Sequence, residues 1–304
     1  MYYIYYIYEQ KIIHICSFFN FFSELKPIFA TKKQEMTMNI RNRILGIGCL
    51  LLAASTAWAQ SDFGVWESLE LSTKLNKQFE LSMEGEYRTH QNSSEVERFT
   101  AGLNLSYKNK KVPFLKADIG YVIMSMHNPA ETEIKYRDED PTVPKHKNVD
   151  APYWYTRHRA TASLTGSVKW GRVKFSLRER YQFTHRMAAQ CERERYGYHP
   201  AFDMWDDVPE LLIDDKLAKD DHKLRSRLSV SYDIKKSKFE PYAEVEVYNQ
   251  LDDAMKFDKI RYTIGTDYKV TKDAKLTLFY RYQDYNDVDD ISGHILGVGA
   301  SIEL

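Results

Sequence analysis

The chain has 304 residues with 43 basic and 43 acidic side chains, so its formal net charge is zero. That balance lacks the basic surplus on which nucleic-acid binding depends, and a mean hydropathy of −0.55 is too polar for a bundle of membrane helices. Of three cysteines, only Cys191 lies beyond the leader described next, so a disulfide-stapled domain is excluded for the mature chain.

Residues 1–37 are a run of Tyr, Ile, Phe and Lys with no period and read as an over-extended gene start. Residues 38–59 read as a complete Sec-type signal peptide. Arg41 and Arg43 form its basic region, residues 44–54 its apolar region, and Ala57-Trp58-Ala59 a small-x-small cleavage site. The apolar region is too short to span a bilayer. The mature domain is therefore expected over residues 60–304, in a compartment beyond the inner membrane.

From Phe63 to Leu304 the chain alternates apolar and polar residues in stretches of about ten, the signature of strands with one apolar and one polar face. The first stretch, 63–75, sets Phe63, Val65, Leu69 and Leu71 against Ser68, Glu70 and Ser72, with Glu67 breaking the apolar row. After Asn76-Lys77 a second sets Phe79, Leu81, Met83 and Tyr87 against Glu80, Ser82, Glu84, Glu86 and Arg88. Nine more follow. Their polar parities carry Arg98, Asp118, Arg157 with Arg159, Arg178 with Arg180, Arg225 with Arg227, Glu244 with Glu246, Arg261 with Asp267, and Arg281. The last stretch sets Leu296, Val298, Ala300, Ile302 and Leu304 against Gly297, Gly299, Ser301 and Glu303.

Breaks between stretches are alternately short and long. The long ones are a charged loop at 127–152 with four prolines, which a membrane strand would not tolerate, and a loop at 187–220 in which residues 208–217 suit a short helix. This pattern predicts an all-β fold, a transmembrane antiparallel up-and-down β-barrel of ten to twelve strands with long extracellular loops, in the outer membrane of a Gram-negative cell. The count of stretches is eleven, whereas single-chain bacterial barrels have even numbers. Either a strand hides within 187–220 or 63–75 is not an ordinary wall strand. Glu179 falls on the apolar parity between Leu177 and Tyr181, which asks for a bulge or a position above the membrane.

Phe63-Gly64-Val65-Trp66, the segment Leu75-Asn76-Lys77-Gln78-Phe79-Glu80-Leu81, and Glu84-Gly85-Glu86-Tyr87-Arg88 resemble the family called domain of unknown function 2490. The arginine-rich polar faces and Tyr280-Arg281-Tyr282 are similar too. The resemblance covers roughly residues 62–304. It implies an outer-membrane barrel from a Bacteroidetes-like bacterium, with no activity or site residues to carry over.

The lumen-facing charges are the main candidate site. They are Arg88, Arg98, Arg157, Arg159, Arg178, Arg180, Arg225, Arg227, Arg261 and Arg281, with Glu80, Glu84, Glu86, Glu244, Glu246 and Asp267. They suit an ion-paired network that fills the lumen, or a narrow polar pore that prefers anions. The expected function is accordingly a narrow pore or a structural membrane component. The loops carry Asp203, Asp206, Asp207, Asp214, Asp215, Asp220 and Asp221, then Asp252, Asp253, Asp287, Asp289 and Asp290, a solvated acidic rim without EF-hand spacing.

An outer-membrane lipid hydrolase is the enzyme alternative, with His158, His185, His222 and His294 near strand ends but no nucleophile motif. A soluble periplasmic ligand-binding barrel is the third reading. The nine histidines show no zinc spacing, and no catalytic residue, metal or cofactor is expected. The expected partners are outer-membrane lipids and, during insertion, the barrel-assembly machinery.

Overall fold

The computed structural model describes residues 62–286 and 293–304. The leader and the start-site reading at 1–59, and Asp287, Asp289 and Asp290, lie outside the described residues. Sixteen strands run in chain order: β1 (Asp62–Lys74), β2 (Phe79–His90), β3 (Glu95–Lys108), β4 (Leu115–Asn128), β5 (Glu131–Tyr136), β6 (Pro144–Asp150), β7 (Tyr153–Trp170), β8 (Val173–Arg186), β9 (Ala189–His199), β10 (Met204–Trp205), β11 (Glu210–Lys216), β12 (Lys219–Tyr232), β13 (Phe239–Gln250), β14 (Lys256–Lys269), β15 (Ala274–Tyr285) and β16 (Gly293–Glu303).

Eleven of them form a closed barrel in the order β1-β16-β15-β14-β13-β12-β8-β7-β4-β3-β2. These are the eleven alternating stretches of the sequence. Ten ladders are antiparallel, and β1 pairs β16 in parallel, from Asp62 opposite Gly293 to Ser72 opposite Glu303. The parity question is thereby answered. Residues 63–75 are a wall strand, and an odd count is accommodated by making one junction parallel. Asp62 consequently stands at the rim of the long connections and Leu304 at the rim of the short ones.

Short turns gather at that second rim, each closed by a polar side chain or a left-handed residue. Asn76 Oδ1 accepts from the amides of Gln78 and Phe79 at 2.8 and 3.0 Å. Thr271 Oγ1 does the same for Asp273 and Ala274. Gly171 supplies φ +61° between β7 and β8, a region open to glycine without steric cost.

Alternation places the two parities on opposite faces. Leu103, Ile119, Leu164, Leu177, Leu228 and Leu278 point outward and are exposed. The aromatic pairs Phe79–Tyr107 and Phe239–Tyr268 band the outer face near the short turns, and Tyr87–Phe99 and Phe99–Trp154 band it near the long loops. Glu179 is outward with no bulge beside it: β8 keeps continuous register with β7 and β12. Its carboxylate accepts from Ser226 Oγ at 2.6 Å, so the polar atom on the apolar face is at least hydrogen-bonded.

The two long connections are not irregular. They supply a second sheet, β10-β9-β6-β5, with β11 also paired to β9, across from β6. The helix expected at 208–217 is overturned. Glu210–Lys216 is a strand, paired antiparallel to β9 from Arg195 to Ala189. A backbone bond from Met187 N, just before β9, to Thr156 O of β7 ties this sheet to the barrel mouth. A small apolar cluster of Met124, Met126 and Tyr155 meets Tyr153 and Ala189 at that junction.

Inside the wall, β16 presents Gly297 toward Phe279 of β15. A Cβ added at Gly297 would lie 1.9 Å from the Phe279 ring. The ring fills the space a side chain would take, an aromatic covering a strand glycine. Gly297→Val should therefore abolish the compact, heat-modifiable form on gels. Gly297→Ala combined with Phe279→Ala should recover it, whereas Gly297→Ala alone should not.

Candidate functional site: the charged lumen

The barrel interior holds two main cavities stacked along its axis. The larger, about 830 Å³, opens toward the short turns and is lined by Glu84, Glu86, Arg178, Arg180, Arg227, Glu246 and Arg281 among others. The smaller, about 360 Å³, lies toward the long loops and is lined by Arg98 and Arg157 among others. Trp66, Arg88, Arg159, Arg225 and Arg261 line both, and so mark the layer where the cavities meet. A third cavity of about 350 Å³ near the short turns takes Glu244 and Asp267 together with Arg227 and Arg281. Glu80 lines none of the three. It stands near the short-turn rim, opposite Lys74 of β1 and Ser106 of β3.

The charges are joined mainly through one carboxylate. Glu246, 5 % exposed, takes Arg178 Nη2 on Oε1 at 2.7 Å and Arg225 Nη2 on Oε2 at 3.0 Å. The Tyr248 hydroxyl donates to Oε2 at 2.8 Å, and Arg261 Nη1 lies 3.9 Å away while donating to the Tyr248 oxygen. Glu86 serves Arg88 at 2.5 Å and Arg98 at 3.7 Å. Arg227 reaches Glu244 at 3.3 Å. Asp267 accepts from Lys275 and from Thr277 Oγ1. Arg159, Arg180 and Arg281 have no carboxylate within 4 Å among the described residues. Arg159 and Arg281 donate instead to Thr184 and Thr263 hydroxyls, and Arg157 to the Tyr155 hydroxyl at 2.8 Å.

Two inward aromatics, Trp66 and Phe279, escaped the sequence reading, whereas Tyr248 falls on the polar parity of β13 with Glu244 and Glu246. Trp66, 6 % exposed, lies on the polar parity of β1. The Arg88 guanidinium carbon is 3.3 Å from its ring centroid, Arg281 4.8 Å and Arg261 5.2 Å. Phe279 meets it edge-on at 6.5 Å. Tyr248 lies under Arg225 and Arg261 at 4.6 and 4.8 Å. Guanidiniums stack on such faces through the ring quadrupole, an attraction of about 2 kcal/mol where water is excluded. The signal available was an apolar residue on a polar parity, as at Trp66 and Phe279.

Several of the described acidic loop residues are engaged in local bonds. Asp214 pairs with Arg193 and Lys216, both at 2.8 Å. Asp206 accepts from the Gly197 amide and from the His199 ring, Asp203 from the Tyr198 hydroxyl, and Asp252 from the His222 amide. Asp150 accepts from both Arg193 and Lys216 in the loop sheet. The Arg193 hydrogen bond, followed by Lys216, holds its carboxyl down at about 2. Burial pushes the adjacent Cys191 thiol up.

The four histidines named for a hydrolase are placed differently from a catalytic set. His158, His222 and His294 each share a hydrogen bond, through Nδ1, with an outer-face tyrosine hydroxyl, of Tyr121, Tyr181 and Tyr280 respectively. His158 turns its other nitrogen to Met187 Sδ at 3.3 Å. His185 bonds Asp220 at 2.7 Å.

Two outcomes follow. Glu246→Gln leaves three arginines around a neutral amide, and uncompensated buried charge of this kind costs about 3–5 kcal/mol. The denaturant midpoint of the detergent-folded protein should fall accordingly, while Glu80→Gln at the rim should change it little. For Asp150 the folded value lies below the ordinary one of 3.8, so its contribution is complete above about pH 4 and is lost as pH falls toward about 2. Amide exchange in β6 and β9 should stay slow down to about pH 4 and then accelerate. Asp150→Asn should open this sheet to trypsin at neutral pH without changing heat-modifiable migration.

A family model described as a protein of unknown function, DUF2490, matches residues 63–291. No curated protein matches the chain. Among solved structures, the NanC porin aligns with 15 % identity over 81 % of this chain and 99 % of its own, at a TM-score of 0.44. The outer membrane protease OmpT from Escherichia coli aligns with 11 % identity over 79 % of this chain and 89 % of its own, at 0.41. An anion-selective porin from Comamonas acidovorans aligns with 10 % identity over 75 % and 83 %, at 0.21. With the model spanning most of the barrel, from the start of β1 to the connection before β16, the chain belongs to the DUF2490 family.

Proposed function

We propose that the protein is an outer-membrane barrel whose lumen is a narrow, anion-attracting passage, constricted at Trp66 and its arginines. The observation that carries this reading is the meeting of two polar cavities at a single layer, Trp66, Arg88, Arg159, Arg225 and Arg261. Sixteen arginines and lysines against eleven aspartates and glutamates line the three cavities, so the lumen is cationic, and a cationic ring in a confined pore favours anions. The membrane half of the reading rests on the outer face. A belt of exposed leucines and isoleucines, banded by aromatics, is unfavourable in water and satisfied by lipid. A soluble ligand-binding barrel would need the reverse arrangement. Delivery by the leader, insertion by the assembly machinery and contact with outer-membrane lipids belong to the same proposal.

A second reading, a sealed structural barrel, is favoured by one observation: Trp66 lies across the constriction with a guanidinium stacked upon it. Planar-bilayer recording of the folded protein separates the two. Under the pore reading, discrete steps appear with a reversal potential displaced toward anions. Trp66→Ala should enlarge the steps, and Arg180→Glu or Arg159→Glu should move selectivity toward cations. A wild-type protein that is folded yet silent, with Trp66→Ala conducting, would establish the sealed barrel instead.

A further inference from the structure

One cluster at the loop-side rim belongs to no network described above. His90 ends β2, Glu95 begins β3 directly opposite it, and His127 lies near the end of β4. One ligand atom from each lies within 4.8 Å of the other two. His90 Nε2 and His127 Nδ1 are both 3.9 Å from Glu95 Oε2. That is too far for hydrogen bonds. All three atoms are buried, and none has a hydrogen-bond partner among the described residues. Buried ring nitrogens and carboxylate oxygens without partners are costly, and three converging on one point ask for a common occupant. A tetrahedral ion with bonds of about 2.0–2.1 Å spaces its ligand atoms by about 3.4 Å, so each histidine must close on Glu95 by about half an ångström from its 3.9 Å separation.

The local backbone is built to hold this arrangement. A bulge at Arg88/Thr89 shifts the β2–β3 register so that His90 faces Glu95, and bulges re-aim side chains in this way. The connecting turn runs through three successive left-handed residues, Gln91, Asn92 and Ser93, at φ 51, 57 and 64°. Such a run is unfavourable for non-glycine residues, and β1 holds it in place: Asn92 N donates to Asp62 Oδ1 and Ser93 N to Phe63 O, both at 2.9 Å. The Trp154 ring lies 5.0 Å from that of His127 and fixes its plane. A second group, Asp150, Cys191 and Asp214, is equally close-set. Its carboxylates, however, are already neutralised by Arg193 and Lys216. Among the described residues, no lysine or arginine pairs with Glu95.

We propose that His90 Nε2, Glu95 Oε2 and His127 Nδ1 bind a divalent transition-metal ion of the zinc class, with water completing its coordination. Two imidazoles and one carboxylate suit that class rather than the all-oxygen sites of calcium or magnesium. Bound there, the ion would tie the β2–β3 hairpin to β4 at the barrel mouth.

The test uses the full, untagged chain folded in detergent and stripped with a chelator. Zn²⁺ is titrated by calorimetry and Co²⁺ by visible absorption. One ion per chain is expected, with Co²⁺ bands of a low-symmetry nitrogen–oxygen site and a raised melting temperature. Loss of a partner that merely orients a ligand costs about 10–100-fold in affinity, so Glu95→Gln and His127→Ala should each weaken binding at least that much. Cys191→Ser, which alters the other cluster, should leave it unchanged. Should His127→Ala fail to fold, Glu95→Gln preserves the shape of the site and decides the matter. A wild-type chain that takes up no ion overturns the proposal, as does binding that survives Glu95→Gln.

Discussion

The lumen depends on how few carboxylates must serve how many guanidiniums. Arginine keeps its charge at any pH a protein meets, so a buried excess of arginine has to be shared out rather than titrated away. Glu246 is the centre of that sharing, bonded by Arg178 and Arg225 and approached by Arg261. Glu86 does the same for two more. What the carboxylates leave over is spread across aromatic faces and neutral oxygens: Trp66 and Tyr248 beneath guanidiniums, Thr184, Thr263, Gln182 and Gln283 as acceptors. The layering of the interior, with a charged waist between two cavities, is the geometry of that distribution.

The wall was readable because each of its two faces meets one environment along its whole length. A period of two then survives from one rim to the other, and all eleven strands follow from it. The reading stopped where a face changed character. Trp66 and Phe279 are apolar on the polar parity and belong to the lumen all the same, because arginines and a bare β16 glycine surface receive them. Beyond the rim the rule fails. β5 is exposed along its whole length, so nothing imposes an alternation on it. Leu211, Leu212 and Leu217 fit a helix as readily as a strand until β9 supplies a pairing edge.

The histidine cluster was hidden for a different reason. Metal sites legible in sequence have their ligands on one short segment, whereas His90, Glu95 and His127 come from three strand ends. A bulge sets their register, and a bulge leaves little trace in composition. Glu97, the extra residue at that bulge, turns into the loop-side cavity beside Arg98. The same irregularity therefore shapes both the rim cluster and the upper lumen.

The parallel junction of β1 and β16 has a consequence for how the molecule is made. It unites the two ends of the barrel sequence. Thr73 and Leu304, which meet there, are 231 residues apart in the chain, and contacts of that separation form late. Parallel ladders are also the weaker kind. Trp66 stands on one side of this seam, Arg261 and Arg281 on the other. Until the seam shuts, those arginines lack the Trp66 ring and rest only on Tyr248 and Phe279 of their own side. The layer around Trp66 is thus completed only when the wall is sealed, and a chain halted short of it presents an open gutter whose waist is missing that ring.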